Sequence, residues 1–374
     1  MKPILAVPIT LVMVHRAWSK ASLTPAGILA AVVTAVAHAI HPWNLPFGLL
    51  IVFFLAGTHV TKVIKHDVKS KLTIRASGNT GGEISRTHIQ VIANSGVASI
   101  LSLLHSYQIY RDKNDVLFCL KWPRDLYFLG IVANYAAAAA DTFSSELGII
   151  SKSQPRLITS MNLRKVPPGT NGGVTAIGLM AGILGSFIIV VTTIVLTPFC
   201  QSPILTGGKN DQRVWGFKEK LIFAMVMTLW GALGSVLDSF LGGWLQQSVV
   251  DIRSGKIIEG DGGKSILGKE TKTGLYPTHA KVNLSRQREA RNVSAERHVE
   301  IPSSSIGSSE DGNENKILPD LYPTDMKPSI SVESGTIGFL DNNQVNFLMT
   351  LIMSIGAIVM GSWTLETPQD SLAR

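Results

Sequence analysis

Residues 126–149 read LYFLGIVANYAAAAADTFSSELGI, and the fold prediction rests on this stretch. It is predominantly apolar, and about 20 such residues are enough to cross the hydrocarbon core of a bilayer as a helix. Its apolar residues do not alternate with polar ones, so a helix is expected rather than a strand of a membrane barrel. The stretch therefore predicts a membrane-spanning helix that carries an aspartate, Asp141, near its end.

Apolar stretches of similar length lie on both sides of this one. Clear candidates are at about 24–41, 43–64, 88–107, 173–198, 219–246 and 345–363. A weaker stretch at about 3–18 is either a first span or a signal-like segment, although no small-residue cleavage site follows it. We expect an all-α, polytopic integral membrane protein with about eight transmembrane helices, and seven as the alternative.

Charge is spread unevenly along the chain. Residues 248–344 hold 12 Lys/Arg and 14 Asp/Glu, whereas the other 277 residues hold 22 and 12, so about 12% of them are charged. Soluble proteins carry roughly 25% charged residues, which excludes a soluble enzyme or a secreted disulfide scaffold. We predict a membrane domain at 1–247, a polar and mostly disordered insert at 248–344, and a last transmembrane helix with a short tail at 345–374.

Three acidic residues fall within the predicted spans. Asp141 and Glu146 lie late in the fifth span, and Asp238 lies late in the seventh. A charged side chain at mid-membrane costs about 2.5–3.5 kcal/mol on insertion scales, so such residues are functional candidates. The alternative is a helix end that has already reached water, which fits Glu146 best because Lys152 follows it.

The order of the spans predicts that the polar groups gather at one membrane face. Spans five and seven run parallel, since one span separates them, so Asp141 and Asp238 approach the same face. Spans four and six start at that face, after the Gly-rich loops 77–83 and 167–173. The triplets Asp-Thr-Phe at 141–143 and Asp-Ser-Phe at 238–240 also suggest two helical hairpins related by a parallel repeat.

Carboxylates beside Gly-rich loops are typical of a phosphate or nucleotide site. Carboxylates and substrate phosphates share Mg²⁺, backbone amides at helix starts favour anions, and cations can hold a transferring phosphoryl group. Arg86, Arg164 and Lys165 are suitable cations, with solvated basic loops as the alternative interpretation. The loops match no Walker A pattern, so spacing alone is weak evidence for a kinase.

Five ordered motifs resemble those of the transmembrane protein 19 family. They are QVIAN at 90–94, ADTFSSELG at 140–148, PPGTNGGVT at 167–175, GSVLDSFLG at 234–242 and LDNNQVN at 340–346. The family includes plant phytyl-phosphate kinase, which is similar to CTP-dependent polyprenol and lipid kinases, and many members without an assigned activity. This chain departs from the family pattern in its long insert and in Phe143, where Trp is common.

The resemblance implies phosphoryl transfer from a nucleotide, by resemblance CTP, to an isoprenoid or lipid monophosphate. Asp141 and Asp238 would bind Mg²⁺, and Glu146 would assist with the metal or position the acceptor phosphate. The candidate phosphate- or nucleotide-binding residues are Arg86, Asn94, Arg164, Lys165, Thr170, Asn171, Gly172 and Gly173. A transporter or channel, or a non-catalytic multi-pass membrane protein, is the alternative.

We expect an endomembrane location, the endoplasmic reticulum, with the Gly-rich face in the cytosol where nucleotide is available, and no nucleic-acid partner. The nine histidines show no paired metal spacing and are interpreted as packed or interfacial. Cys119 and Cys200 fall on the face opposite the Gly-rich loops. We expect two free cysteines, with a disulfide as the alternative if that face is lumenal.

Overall fold

The computed structural model of the chain describes residues 3–63, 73–75, 85–111, 119–120, 125–200, 215–251, 256–259, 330–335 and 339–366. Within these residues the chain forms eight helices, and each coincides with one of the predicted apolar stretches. They are α1 (Pro3–Ser19), α2 (Pro25–Ala39), α3 (Leu45–Val63), α4 (His88–Arg111), α5 (Leu126–Gly148), α6 (Ala176–Leu196), α7 (Phe217–Leu245) and α8 (Asn342–Glu366).

Six of these helices, α3 to α8, are long and apolar enough to cross a membrane, whereas α1 and α2 are apolar but shorter. The 15 residues of α2 extend only about 22 Å, less than the ~30 Å of a hydrocarbon core. Thr24 caps this helix and Pro25 begins it, while Pro42 follows its end and disfavours helical backbone before it. The prolines therefore explain why the stretch at 24–41 gives a shorter helix than the hydropathy predicts.

Helix α5 is the centre of the bundle and packs against α3, α4, α6, α7 and α8. Its five alanines, 136–140, are at most 2% exposed. Glycines of the neighbouring helices face them: a Cβ at Gly231 would lie 2.6 Å from Ala136 Cβ, and one at Gly185 would lie 2.5 Å from the Ala139 carbonyl oxygen. Small residues on both sides thus let the helix backbones approach closely, as is common in membrane bundles.

Two small sheets lie outside the helices. Strands β2 (Arg156–Leu157) and β3 (Gly173–Val174) pair antiparallel within the loop between α5 and α6. The other four strands are β1 (Thr73–Arg75), β4 (Ser248–Asp251), β5 (Lys256–Glu259) and β6 (Ile330–Ser334), in the order β1-β5-β4-β6. Hydropathy did not predict these strands, because each has at most five residues and its partner can lie far away in sequence.

The described ends of the 248–344 insert form strands β4, β5 and β6. Strand β4 pairs antiparallel with both β5 and β6, so the start and the end of the insert lie side by side. The Ser334 hydroxyl donates to the Asn171 carbonyl, 3.0 Å away, which joins β6 to the Gly-rich loop. The remainder of the insert lies outside the described residues, and its disorder stays a prediction.

Cys119 and Cys200 form a disulfide, so the expectation of two free cysteines is wrong. Leu120 and Phe199 form a bridge, and the Leu120 amide donates to the Pro198 carbonyl, 2.7 Å away. These backbone contacts bring the loops after α4 and α6 together and leave the two cysteine Cα atoms 5.2 Å apart, a spacing that suits a disulfide.

Three histidines near the same end of the bundle are buried and packed, as expected. His41 and His105 lie 3.0 Å apart through their ring nitrogens, and the Tyr135 hydroxyl is 2.7 Å from His38 Nε2. Burial lowers the pKa of His41, which lies in the turn between α2 and α3. These side chains are therefore accounted for by packing and hydrogen bonding within the bundle.

Candidate functional site

Asp141 and Asp238 meet between two parallel helices. Asp141 lies seven residues before the end of α5, and Asp238 lies seven residues before the end of α7. Both are therefore about 10 Å from the same end of the bundle, and their side chains are in hydrogen-bonding contact. The structure thus brings together the two carboxylates that hydropathy singled out separately.

A third helix contributes Asn346, a residue that the sequence-based site did not include. With its amide oriented to donate, Asn346 Nδ2 lies 3.2 Å from Asp238 Oδ1 and 2.9 Å from the Asn342 carbonyl. The start of α8 is fixed by a reciprocal cap, in which the Asp341 carboxylate accepts from the Gln344 amide and the Gln344 side chain accepts from the Asp341 amide, both at 2.9 Å. The sequence held a signal for this residue, because the motif at 340–346 places asparagines at the start of an apolar span.

Glu146 is close enough to Asp141 to interact with it electrostatically. The two residues are five apart and would point about 140° away from each other on an ideal helix. Helix α5 ends at Gly148, two residues after Glu146, and Glu146 is only partly buried. It therefore lies at the rim of the site, between the aspartate pair and the loop that follows.

Arg86 lies beside α3. Its backbone is held by two hydrogen bonds, to the Ser22 carbonyl at 2.9 Å and from the Thr24 amide at 3.0 Å. Its Nη2 donates to the Thr61 hydroxyl, 3.0 Å away. A Cβ at Gly57 would lie 3.6 Å from both Arg86 Nη1 and Thr142 Cγ2, so the guanidinium and the residue after Asp141 flank the same glycine.

Asn94 lies deeper in the bundle than Arg86. Its carbonyl accepts a hydrogen bond of 2.8 Å from Asn134 Nδ2. Asn134 is fully buried on α5, and it lies seven residues before Asp141, on the same helical face. Two polar side chains, Asn134 and Asp141, thus lie about two turns apart on one face of α5.

The Gly-rich turn 170–173 packs against the end of α7. Gly172 has φ +82°, and a Cβ there would lie 2.6 Å from Gly243 Cα, so the turn needs glycine for both conformation and space. The Asn171 amide donates to Ser248 Oγ at 2.8 Å, and the Gly173 amide donates to the Thr170 carbonyl at 3.0 Å. These amides already serve the local fold, so their role as a phosphate cradle stays a prediction.

The two loop cations lie further out. Arg164 forms an ion pair with Glu333 of β6 and also donates to the Glu333 carbonyl. Lys165 is exposed, and its backbone pairs with that of Arg156 in an isolated antiparallel β-bridge. Arg164 therefore ties the Gly-rich loop to the insert. The other Gly-rich loop, 77–83, lies outside the described residues.

The donor chemistry of the aspartate pair fits Mg²⁺. Two carboxyl groups in contact repel when both are ionised, so they share either a proton or a cation. Mg²⁺ commonly takes one or two carboxylates and completes its shell with substrate phosphates and waters. Across the described part of the chain there is no cluster of three or more His, Cys, Asp or Glu side chains suited to a metal, so such outside ligands would be needed.

Comparison with known proteins assigns the chain to a family. Residues 8–354 match the model of the family described as "Integral membrane protein DUF92". The chain is 33% identical over 251 residues to Protein PGR of Arabidopsis thaliana, a match that covers 66% of this chain and 79% of that protein. No solved structure matches the chain.

Two further relatives match shorter parts of the chain. An uncharacterized membrane protein of Methanocaldococcus jannaschii, MJ0933, is 34% identical over 141 residues, which are 38% of this chain and 49% of that protein. Protein VTE6, chloroplastic, of Arabidopsis thaliana is 28% identical over 142 residues, 38% of each chain. These matches agree with the resemblance drawn from the five motifs, and with six helices able to span a membrane. The chain belongs to the DUF92 family of integral membrane proteins.

Proposed function

We propose that this protein transfers a phosphoryl group from a nucleoside triphosphate, CTP by resemblance, to an isoprenoid or lipid monophosphate at the membrane. The observation that carries the proposal is the meeting of Asp141 and Asp238 at one depth between parallel helices. Carboxylates inside a membrane bundle are energetically costly, which makes these two residues candidates for a function. The resemblance to a family that includes a phytyl-phosphate kinase supplies the reaction class.

The proposed step is a displacement at the terminal phosphorus of the nucleotide. An oxygen of the acceptor monophosphate forms a bond to that phosphorus, and the bond to the bridging oxygen of the nucleotide breaks. The products are a lipid diphosphate and a nucleoside diphosphate. The nucleoside diphosphate leaves with the electron pair of the broken P–O bond. When bound at Asp141 and Asp238, Mg²⁺ would neutralise phosphate charge.

The protein's own residues would orient the reactants. Asn346 donates to Asp238 and so fixes the direction of that carboxylate. Arg86 offers a positive charge beside Thr142, next to Asp141. Glu146, at the rim, would position the incoming phosphate through a metal ion or water bound to both groups. The turn 170–173 would shape the entrance to the site near the end of α7.

We also propose that this end of the bundle faces the cytosol, in an endomembrane such as the endoplasmic reticulum. The Cys119–Cys200 disulfide joins loops at the opposite end of the bundle. Disulfides persist in oxidising compartments such as the lumen of the endoplasmic reticulum. Nucleotide would then be available on the aspartate side.

The test is product formation by purified protein in detergent, with Mg²⁺, labelled CTP or ATP, and a panel of prenyl and phytyl monophosphates. Asp141→Asn and Asp238→Asn should each lower the rate of labelled lipid diphosphate formation about 100-fold or more, the scale on which one preorganised electrostatic contact acts. Glu219→Gln is the matched control, because Glu219 is a partly buried carboxylate in the first turn of α7, at the opposite end from Asp238.

Full activity in both aspartate variants would refute the assignment of these residues. Folded protein that makes no product from either nucleotide would instead favour transport, which intramembrane aspartates also fit. Flux in liposomes would then be measured, with the same two variants as the comparison.

A further inference from the structure

A cavity lies between α1, α2, α3 and α4, apart from the contact of the two aspartates. It holds about 780 Å³ of empty space, part of which is continuous with the surroundings. Most of the side chains around it are apolar, including Met13, Ile28, Val32 and Phe53. A concave site lined mainly by apolar side chains with a few polar groups is the usual form of a ligand site.

The cavity has one polar end. Among the described residues that line it, Arg86 is the one charged side chain, and Gln90 and Asn94 lie within the next turns of the same region. The lining hydroxyls of Thr10 and Thr34 donate to carbonyls of their own helices and so add little polarity. The cavity is therefore amphiphilic, with a cation at one end and hydrocarbon elsewhere.

The polar end lies at the membrane face to which the aspartates are closest. Arg86 precedes the start of α4 at His88, and α3 ends on the same side at Val63. The lining residue Leu50 is thirteen residues before that end, about 20 Å deeper along the helix. The cavity thus runs from the face towards the middle of the membrane, which is where a lipid chain would lie.

Arg86 connects the cavity to the aspartate site. Its guanidinium lines the cavity and, across Gly57, also lies beside Thr142, the residue after Asp141. Hydrogen bonds to the backbone and to Thr61 hold it in place. A phosphate bound by this guanidinium would therefore sit next to Asp141 while its chain occupied the cavity.

We propose that the cavity is the binding site for the apolar chain of the acceptor, a prenyl monophosphate, and that Arg86 holds its phosphate beside Asp141. This inference rests on the proposed function and adds to it the helices that select the acceptor. The charge of Arg86 complements a phosphate monoester, and Arg fits phosphate geometry bidentately. The described residues that line the cavity include no acidic side chain.

The test is photo-crosslinking, which reads binding without turnover. Geranylgeranyl monophosphate carrying a diazirine at the chain end is irradiated with the purified full-length protein, and the labelled peptides are identified by mass spectrometry. Labels should fall on α1, α2 and α3 at the deep end of the cavity. Unlabelled geranylgeranyl monophosphate should compete, and the uncharged alcohol should compete about tenfold less well, because it lacks the charge-assisted contact.

Two substitutions on α2 form a matched pair. Ala31→Phe adds a ring inside the cavity, whereas Val33→Phe adds one at a position that is 61% exposed and outside the lining. The first should lower labelling about tenfold and the second should leave it unchanged. Arg86→Gln should weaken binding of the monophosphate about tenfold and that of the alcohol little.

Labels confined to α6, α7 or α8 of the wild-type protein would overturn the inference, and so would equal competition by phosphatidylcholine, which indicates ordinary bilayer lipid. If the protein forms lipid diphosphate but the labels fall on α6, α7 or α8, the kinase function stands and only the assignment of the cavity as the acceptor site is refuted. If the labels fall in the cavity but neither CTP nor ATP gives product, the proposed kinase function is refuted and the cavity is still supported as a prenyl phosphate site.

Discussion

At the scale of single residues, the sequence predicted Asp141 and Asp238 as site residues but did not predict their partner Asn346. Asp141 and Asp238 stand out because a carboxylate inside an apolar run is costly. Asn346 carries no charge, and its distance to Asp238 depends on how α8 is rotated after an insert of about a hundred residues. Hydropathy gives no information on that rotation, so the contact between Asn346 and Asp238 could be found only in the structure.

The contact between Asn346 and Asp238 predicts a specific effect on catalysis. Asn346→Leu keeps the size of the side chain but removes the donor to the carboxylate. A hydrogen bond to a charged group contributes about 1.5–3 kcal/mol, so the rate of lipid diphosphate formation should fall roughly 10- to 100-fold. Ser362→Ala, at a half-buried position far along α8 from Asn346, should have no effect in the same assay. Equal rates in the Asn346 variant and in wild type would exclude a role for this contact.

At the scale of helices, the small-residue stripes of α5 and α7 were predictable as a packing surface. The sequence places Ala137, Asp141 and the glycines of α7 on matching faces, and the structure places a Cβ built on Gly234 3.0 Å from Ala137 Cα. The length of α2 was less accessible, because hydropathy continues past the residues where capping and prolines end a helix. The sheet at the membrane face was missed for a different reason, since its pairings are non-local.

The close packing of α5 and α7 makes their contact sensitive to a single methyl group. Gly234→Ala should lower stability by about 1–3 kcal/mol, because the added carbon meets Ala137 backbone that cannot move aside. Gly96→Ala is the same chemical change on α4, where the new carbon meets only an Ile92 side chain at 3.2 Å. Thermal unfolding in detergent should show a clear decrease for the first variant and little change for the second. A Gly234→Ala protein as stable as wild type would mean that the two helices are not in such close contact.

At the scale of the whole molecule, the disulfide and the aspartate pair lie at opposite ends of the bundle. The direction of each span could be counted from the sequence, which is why the shared face of the aspartates was predicted. The pairing of Cys119 and Cys200 was not, because it depends on the backbone bridge between Leu120 and Phe199.

The two ends can be assigned to compartments by cysteine labelling, since the chain holds only two cysteines. In sealed microsomes, whose cytosolic side faces out, a membrane-impermeant maleimide should label wild type only after both reduction and permeabilisation. A Met161→Cys variant without the native cysteines should be labelled in intact microsomes, because Met161 is fully exposed in the loop between α5 and α6. The reverse pattern would place the aspartate end in the lumen and would argue against a cytosolic nucleotide as donor.

The sheet in which the two ends of the insert meet has a consequence for the evolution of the chain. Strands β5 and β6 flank β4, so residue 259 and residue 330 are separated sideways by two strand spacings, about 10 Å. The segment between them can lengthen or shorten without moving the start of α8, which is held by its own cap and by hydrogen bonds from Phe339 and Leu340 to Leu245. Insertions at this point would therefore be nearly neutral for the membrane bundle, and drift could extend the segment while selection kept Asn346 in register with Asp238.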